Sequence, residues 1–287
     1  MRIRKHIGLV SWLAPFLALT VLPLALGTAY AWLHSVGLAG IGTNGFTAKH
    51  WITVLSDPAW WRSLGFSCWV AAASIGLSLG LALAAVLGRV ERWQRGSLSW
   101  LVYLPLTLPA MVVAFLVFHT LSGAGLASRL AFRYGLTTGI SDFPNWVNDP
   151  WGLGIITAHV CMATPFFIIL FTNLYRGERL DEYVRLSATL GASPRQQVRH
   201  VLLPVLLRGA FPTLVLYFVF VLGSYEIPLL LGSQSPQMVS VLMVRKLQRF
   251  DLSDRPQAYV IGVLYVLFVV AVVLRLLRRT PNNARLS

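Results

Sequence analysis

Charged side chains are scarce in this sequence. They make up 12% of the 287 residues, whereas an ordinary soluble domain carries about a quarter. Hydrophobic residues make up 56%, and the mean hydropathy is +0.67. So few charges do not cover a water-facing surface, which excludes soluble enzymes and disordered tails. A nucleic-acid partner is also excluded. The net charge is +14, but the basic residues flank long apolar runs and do not form one soluble face.

Cysteine, lysine and the common catalytic motifs are rare or absent. The two cysteines, Cys68 and Cys161, lie inside different apolar runs, so no disulfide framework is expected. A P-loop requires Gly-x4-Gly-Lys-Ser/Thr, but Lys5, Lys49 and Lys246 are followed by His, His and Leu. The sequence also contains no His-Glu-x-x-His metal motif and no nucleophile elbow. We therefore predict a chain without catalytic residues, without a metal site and without an ATP site of its own.

Six apolar runs are long enough to span a membrane. A bilayer core about 30 Å thick needs roughly 20 apolar residues in a helix, and unbroken runs of this length indicate helices and not barrel strands. Pro105 and Pro109 predict a kink in the third run, and the break at Gly232–Pro236 suggests an extra half-helix. We expect one all-α transmembrane domain over residues 1–287. Its predicted spans are Ile7–Leu33, Leu64–Gly88, Leu98–Leu121, Trp151–Tyr175, Gly209–Leu231 and Pro256–Leu274.

The basic residues are distributed unevenly between the two sides of these spans. With six spans both termini lie on one side, and that side holds sixteen basic residues against eight on the other. Lys and Arg are enriched in cytoplasmic loops. We therefore predict that both termini are cytoplasmic.

The loop from Arg176 to Arg208 predicts two short helices on the cytoplasmic side. The first covers Leu180–Leu190, with one face formed at helical spacing by Tyr183, Leu186, Ser187 and Leu190. Gly191 ends this helix, because glycine adopts the left-handed C-terminal conformation without a Cβ clash. Two explanations fit such a loop: a linker resting on lipid headgroups, or a docking element for a soluble partner.

The second helix has a complete start signal. Ser193 is the predicted N-cap, Pro194 occupies the first helical position and Gln196 follows three residues after the cap. Pro204 is the predicted junction with the fifth span.

The spacing of residues in this loop matches a known motif. Nine residues separate Gly191 from Val201, and one residue separates Val201 from Leu203-Pro204. This spacing resembles the EAA motif of permease subunits of binding-protein-dependent ABC importers, which reads Glu-Ala-Ala, three residues, Gly, nine residues, Ile, one residue, Leu-Pro. Arg185, Leu186 and Ser187 occupy the Glu-Ala-Ala positions, and the nearest acid is Glu182. The matching part of the loop comprises Gly191, Ala192, Ser193, Pro194, Val201, Leu203 and Pro204.

The resemblance implies a fold, partners and a mechanism. It implies the six-helix fold of type I importer permeases in a bacterial inner membrane. The loop would contact a dimer of cytoplasmic P-loop ATPases, which hold ATP and Mg²⁺, with Glu182 as the candidate substitute for the missing motif acid. A second permease, expected to be a different chain, and a periplasmic solute-binding protein would complete the complex. The alternative function is an ion-coupled secondary transporter, which requires coupling acids inside its spans and usually shows inverted repeats.

Glu226 is a carboxylate inside the predicted fifth span. It follows Ser224 and Tyr225 and precedes Pro228, so we expect an unwound helix lining a cavity. The stretch resembles spermidine/putrescine permeases, and related permeases serve ferric iron, thiamine and aminophosphonates. Ser224, Tyr225 and Glu226 are therefore candidates for the pathway of a polyamine or another cation. The alternative is an ion pair of Glu226 with Lys246 or Arg245, and the sequence favours neither.

Overall fold

The described residues are predominantly helical and contain no strand. The structure, a computed structural model, describes residues 2–40, 45–95, 102–139, 142–251 and 254–278. A 3-10 turn at Leu104–Thr107 and a π-helical segment at Val198–Leu202 accompany the α-helices. The α-helices are α1 Arg2–Ser35, α2 Lys49–Ser56, α3 Pro58–Arg95, α4 Ala110–Leu121, α5 Leu126–Arg133, α6 Leu153–Gly177, α7 Leu180–Thr189, α8 Pro194–Gln197, α9 Leu203–Leu222, α10 Glu226–Leu231, α11 Val239–Gln248 and α12 Asp254–Arg278.

Six helical stretches of the described residues are long and apolar enough to cross a membrane, which confirms the predicted number. Their bounds are Pro15–Ser35, Pro58–Gly88, Ala110–Arg133, Leu153–Gly177, Pro194–Leu222 and Asp254–Leu276.

The third predicted span, Leu98–Leu121, is wrong in its first half. Residues 98–101 lie outside the described residues, and α4 begins only at Ala110. The predicted kink is instead a complete break, because Leu108 before Pro109 is extended, with ψ 132°. A residue preceding proline is disfavoured in the helical region by contact with the proline ring.

The fifth predicted span, Gly209–Leu231, is also displaced. Helical structure runs without interruption from Pro194 to Leu222, so Pro204 is not a junction. A proline inside a helix clashes with the carbonyl four residues earlier, and here the π-helical segment Val198–Leu202 precedes Pro204. A π segment is a recognised way of disturbing the regular backbone ladder without ending the helix.

The fifth span ends before Glu226, at Leu222. Residues 223–225 are not helical, and α10 then occupies Glu226–Leu231. In α10, Pro228 lies in the first turn, where its missing N–H costs no intrahelical hydrogen bond. The expected interruption near Glu226 is therefore confirmed, but it separates two helices and does not lie inside one span.

The chain divides into two compact units. Unit 1 comprises Met1–Trp61 and Leu242–Val272, and unit 2 comprises Arg62–Val241 and Val273–Ser287. In unit 1, the Lys246 ammonium is largely buried, lies 3.6 Å from Asp57 and donates to Gln257 Oε1 at 2.8 Å. Removing one partner of a buried charge pair is costly, so this contact holds α2, α11 and α12 together.

The core of unit 2 surrounds α6. Half of the most apolar window of α6 is buried inside the chain, and its inner face carries Phe167 and Phe171, both fully buried. Helix α3 supplies Ala82 and Val86 to the same cluster, and α9 supplies Leu206 and Ala210. Buried Leu180 of α7 and Leu202 of the π segment extend the cluster, so the loop after α6 is anchored in the core.

The loop before α6 holds the end of α10. Asn148 donates its backbone N–H to the Leu231 carbonyl at 2.9 Å. Asp149 is buried and accepts the backbone N–H groups of Trp151 and Leu153 at 2.9 and 2.8 Å. These contacts fix α10, and with it the segment that carries Glu226, against the start of α6.

Candidate functional site

The candidate site is the loop between α6 and α9. Its first turn is sharp, because Arg179 adopts a left-handed conformation with φ 49°. The following residue, Leu180, is fully buried in the core of unit 2, and Val184 packs against the same cluster. The Tyr175 hydroxyl donates a hydrogen bond to the Asp181 carboxylate. One face of α7 is therefore attached to the end of α6.

Gly191 ends α7 as predicted. Its φ is +84°, the left-handed region that an L-residue with a Cβ adopts only at a cost. The Gly191 N–H donates to the Ala188 carbonyl at 3.0 Å, and the Ala192 N–H donates to the Ser187 carbonyl at 3.0 Å. These two hydrogen bonds define a Schellman motif, so the break between the two loop helices is a specific turn.

The start of the second loop helix also agrees with the prediction. Ser193 and Gln196 form a capping box, in which the Ser193 N–H donates to Gln196 Oε1 at 2.8 Å. Pro194 occupies the first helical position. Ser193 and Pro194 are exposed, and half-buried Ala192 accepts a hydrogen bond from Gln197 Nε2 at 3.2 Å. Short-range hydrogen bonds therefore connect both sides of the turn.

The distal motif positions lie on the helical approach to the fifth span. Val201, Leu203 and Pro204 are each half-buried. Leu202, between them, is buried and belongs to the core cluster of unit 2. The helical segment that carries these residues therefore connects the turn at Gly191 to α9.

The face of α7 that sequence spacing identified is an exposed apolar stripe. Tyr183 is 55% exposed, Leu186 61% and Leu190 82%, and these three residues share one side of the helix. Ser187 is half-buried and does not extend this stripe. The inward-facing side of α7 was not predicted from the sequence. Leu180 and Val184 also have helical spacing, and they are the pair that packs inward. The stripe defined by Tyr183, Leu186 and Leu190 is therefore left uncovered by the part of the chain that the structure describes.

Arg185 occupies the acidic position of the motif, and Glu182 is the nearest acid. Both side chains are exposed. Glu182 lies 3.6 Å from Arg179, and both side chains of this pair are largely exposed. Exposed pairs of this kind contribute little to stability, which leaves the Glu182 carboxylate accessible to a partner.

The second candidate site, Ser224 to Glu226, lies at the other end of α9. A helix of 20 residues separates this segment from the loop, a distance of about 30 Å. Ser224 and Tyr225 are half-buried, and the Ser224 carbonyl accepts a hydrogen bond from Ser240. Glu226 is exposed. The structure therefore brings the loop residues together and keeps the three segment residues apart from them.

The ion pair proposed for Glu226 and Lys246 is wrong. The Lys246 ammonium contacts Asp57 and Gln257 instead. Among the described residues, the ion pairs of the chain involve neither Glu226 nor Arg245. The carboxylate occupies the first turn of α10, where unpaired backbone N–H groups favour a negative charge.

Comparison with known proteins shows the class of this fold. A chain of a bacterial ABC transporter involved in the import of the acidic polysaccharide alginate superimposes with a TM-score of 0.72, over 99% of this chain and 100% of that chain, at 19% identity. A second structure, of a bacterial alginate ABC transporter in complex with an alginate pentasaccharide-bound periplasmic protein, gives a TM-score of 0.71 and covers 99% of this chain and 97% of that chain at 17% identity. The fold is that of a multi-pass importer permease.

The family is shown by sequence. Residues 76–280 match the family of binding-protein-dependent transport system inner membrane components, and this chain belongs to that family. The molybdenum transport system permease protein ModB of Mycobacterium tuberculosis is 28% identical over 234 residues, covering 79% of this chain and 83% of the relative. The putative 2-aminoethylphosphonate permease PhnV of Salmonella typhimurium is 24% identical over 253 residues, covering 86% and 83%.

A third relative is longer than this chain. The thiamine transport system permease protein ThiP of Brucella abortus is 28% identical over 275 residues, which cover 91% of this chain and 48% of the relative. Family membership confirms the expected ABC importer permease and excludes the alternative of an ion-coupled secondary transporter.

Proposed function

We propose that this chain is the membrane-spanning subunit of an ATP-driven importer and that α7 with the turn at Gly191 couples it to a separate cytoplasmic ATPase dimer. ATP and Mg²⁺ bind in that ATPase. A second permease, encoded as a different chain, completes the pathway, and a periplasmic binding protein delivers the solute. Both termini lie on the same side as the ATPase, in agreement with the excess of basic residues there.

The observation that carries this proposal is the exposed stripe of Tyr183, Leu186 and Leu190. Clustered large apolar side chains on a surface mark a site of interaction with another protein or with a membrane. The helix that carries them is held on its other face by Leu180 in the core, and its end is fixed by the Schellman motif at Gly191. A rigidly attached helix with an uncovered apolar face is suited to receive and transmit a displacement.

A photo-cross-linking experiment distinguishes an ATPase from lipid headgroups as the partner of this stripe. In a background with Cys68 and Cys161 replaced by serine, Leu190→Cys carries a benzophenone label in the assembled transporter in membranes. We expect an adduct whose mass spectrum contains a P-loop sequence, with a yield that changes when ATP and vanadate are added. An adduct with phospholipid alone would show that the loop rests on the membrane surface.

The matched control is Ala188→Cys in the same background. Ala188 is also exposed, but it lies two residues from Leu190 and therefore roughly 200° around the helix axis. We expect little ATPase adduct from this position. Equal yields at both positions would contradict a contact made through the stripe.

Replacing Glu182 by alanine tests whether its carboxylate takes the place of the missing motif acid. We expect solute-stimulated ATP hydrolysis to fall by roughly two- to fivefold, because one exposed charge contact is removed. Arg179→Ala is the control, since it removes the partner that Glu182 has within this chain. An equal loss in Arg179→Ala would assign the effect to the pair and not to an ATPase contact.

The solute is proposed to be a small cation, and Glu226 carries this part of the proposal. Its exposed carboxylate lies at the start of α10, directly after the break between α9 and α10, and its suggested internal partner, Lys246, contacts Asp57 instead. The relatives named above transport molybdenum, 2-aminoethylphosphonate and thiamine. None of these three is a polyamine permease, so they give no support to the polyamine expectation.

A further inference from the structure

A groove on unit 1 is lined by none of the residues of the loop between α6 and α9 or of the segment Ser224 to Glu226. It has a volume of about 410 Å³ and is lined by residues of α1 and α12 and by two side chains of α11. Small residues line it on both helices at a spacing of four, Gly27 and Ala31 on α1 and Ala258 and Gly262 on α12. This spacing allows close helix packing, yet the two helices leave a space within the size range of ligand sites.

The groove lies at membrane depth and accepts an apolar occupant. Its α1 and α12 residues all fall within the candidate spans Pro15–Ser35 and Asp254–Leu276. The Thr28 hydroxyl in its wall already donates to the Leu24 carbonyl at 2.7 Å. A polar ligand entering this region from water would lose hydrogen bonds that the mostly apolar wall replaces only in part. A hydrocarbon chain has no such loss.

One end of the groove is cationic. Tyr259 in its wall stacks on His34 at 4.3 Å, and Arg255 lies close enough to both rings to influence them electrostatically. Lys49 also lies near this end, because Lys49 and the His34 ring both act electrostatically on His50, and the positive charge comes from Arg255 and Lys49. Here α1 ends and α12 begins, so these groups lie where the chain leaves the membrane.

The acid next to Arg255 does not neutralise it. Asp254 pairs with Arg249 at 3.0 Å, and Arg255 is exposed and makes none of the ion pairs found among the described residues. A guanidinium binds phosphate oxygens with two parallel hydrogen bonds. The headgroup of an anionic phospholipid carries such phosphate oxygens.

We propose that the groove between α1 and α12 binds an anionic phospholipid, with an acyl chain between Gly27 and Gly262 and the phosphate at Arg255. The apolar wall selects a hydrocarbon chain, and the cationic end selects the negative headgroup. A transmembrane helix of another subunit would match the apolar wall but would not explain the cationic end.

The acyl-chain contact is tested with a photoreactive lipid. The full-length chain in its assembled transporter is reconstituted into vesicles of phosphatidylethanolamine and phosphatidylglycerol, the latter with a diazirine in its acyl chain. After irradiation, we expect lipid adducts on peptides of α1 and α12 that line the groove. Gly27→Leu is expected to lower this labelling at least fivefold, because Gly27 lines the groove, an added Cβ there meets no atom within 4 Å, and a leucine side chain would take up groove space.

The matched control is Gly76→Leu on α3. It makes the same replacement at an exposed glycine whose Cβ also meets no atom within 4 Å, and we expect it to leave groove labelling unchanged. Labelling that persists in Gly27→Leu would overturn the proposal. A photoreactive residue at Thr28 that reacts with another polypeptide and not with lipid would also overturn it, and would assign the groove to subunit packing.

The headgroup contact has its own test. In mixed vesicles we expect the wild-type groove to be labelled several-fold more by diazirine phosphatidylglycerol than by diazirine phosphatidylethanolamine. Arg255→Gln is expected to reduce this ratio towards one, whereas Arg62→Gln, at another exposed arginine, leaves it unchanged. Equal labelling by the two lipids in the wild type, or an unchanged ratio in Arg255→Gln, would refute the phosphate contact. Neither result depends on which solute is transported or on the ATPase contact.

Discussion

Replacing Gly191 by valine is expected to lower both solute uptake and solute-stimulated ATP hydrolysis by about 5- to 30-fold. Gly191 has a φ of +84°, and an L-residue in the left-handed region costs roughly 1–2 kcal/mol. β-Branching makes valine a poor choice there. A penalty of this size changes the ratio of correctly to incorrectly turned loops by about 5- to 30-fold. The measurements are uptake and ATP hydrolysis in proteoliposomes supplied with the loaded binding protein.

The structure provides two controls for this variant. Because an added Cβ at Gly191 meets no atom within 4 Å, the expected loss comes from the backbone conformation and not from a collision. Gly191→Asn should retain most activity, since asparagine tolerates the left-handed region. Gly177→Val should also retain activity, because Gly177 is exposed, lacks a positive φ and has open space around it. Normal transport by Gly191→Val with the ATPase still bound would show that this loop is not the coupling element.

Glu226→Gln is expected to lower uptake of a cationic solute by about ten- to a hundredfold. Hydrogen bonds to a charged group contribute about 1.5–3 kcal/mol, and glutamine keeps the shape of the side chain while removing its charge. Glu226 is exposed, so the substitution leaves no buried group without a partner. Uptake of labelled spermidine, thiamine, molybdate and 2-aminoethylphosphonate measures the effect for each charge type, with protein level and ATPase co-purification recorded in parallel.

The control for this variant is Glu226→Asp, which keeps the negative charge and should retain much of the uptake. A loss in Glu226→Gln that is limited to cations supports a carboxylate facing the pathway. Wild-type uptake of every transported solute by Glu226→Gln, in a stable complex, would leave the residue as a solvated acid at the start of α10. If Glu226→Gln lowered the uptake of an anionic solute alone, that result would contradict a pathway for cations.

Features that depend on neighbours in the sequence were predicted correctly. Gly191 as the end of α7 and Ser193 with Gln196 as the start of α8 require only hydrogen bonds between residues a few positions apart. The number of spans depends on the length of each apolar run and was also confirmed. The outcome at each proline was less predictable, because Pro109 follows a break whereas Pro204 lies in a continuous helix.

The sequence by itself determined that the chain spans a membrane six times and that a capped helical turn follows the fourth span, because hydrophobic length and short-range capping are local properties. Only the tertiary structure decided which side of α7 faces outward, since Leu180 and Val184 have the same helical spacing as Leu186 and Leu190, and the inward side is selected by contact with α6 and the π segment. It also decided the partner of Lys246, because Asp57 is distant in sequence and is brought within 3.6 Å by the packing of unit 1. Burial of a charge requires a partner at close range, and folding determines which acid meets that requirement.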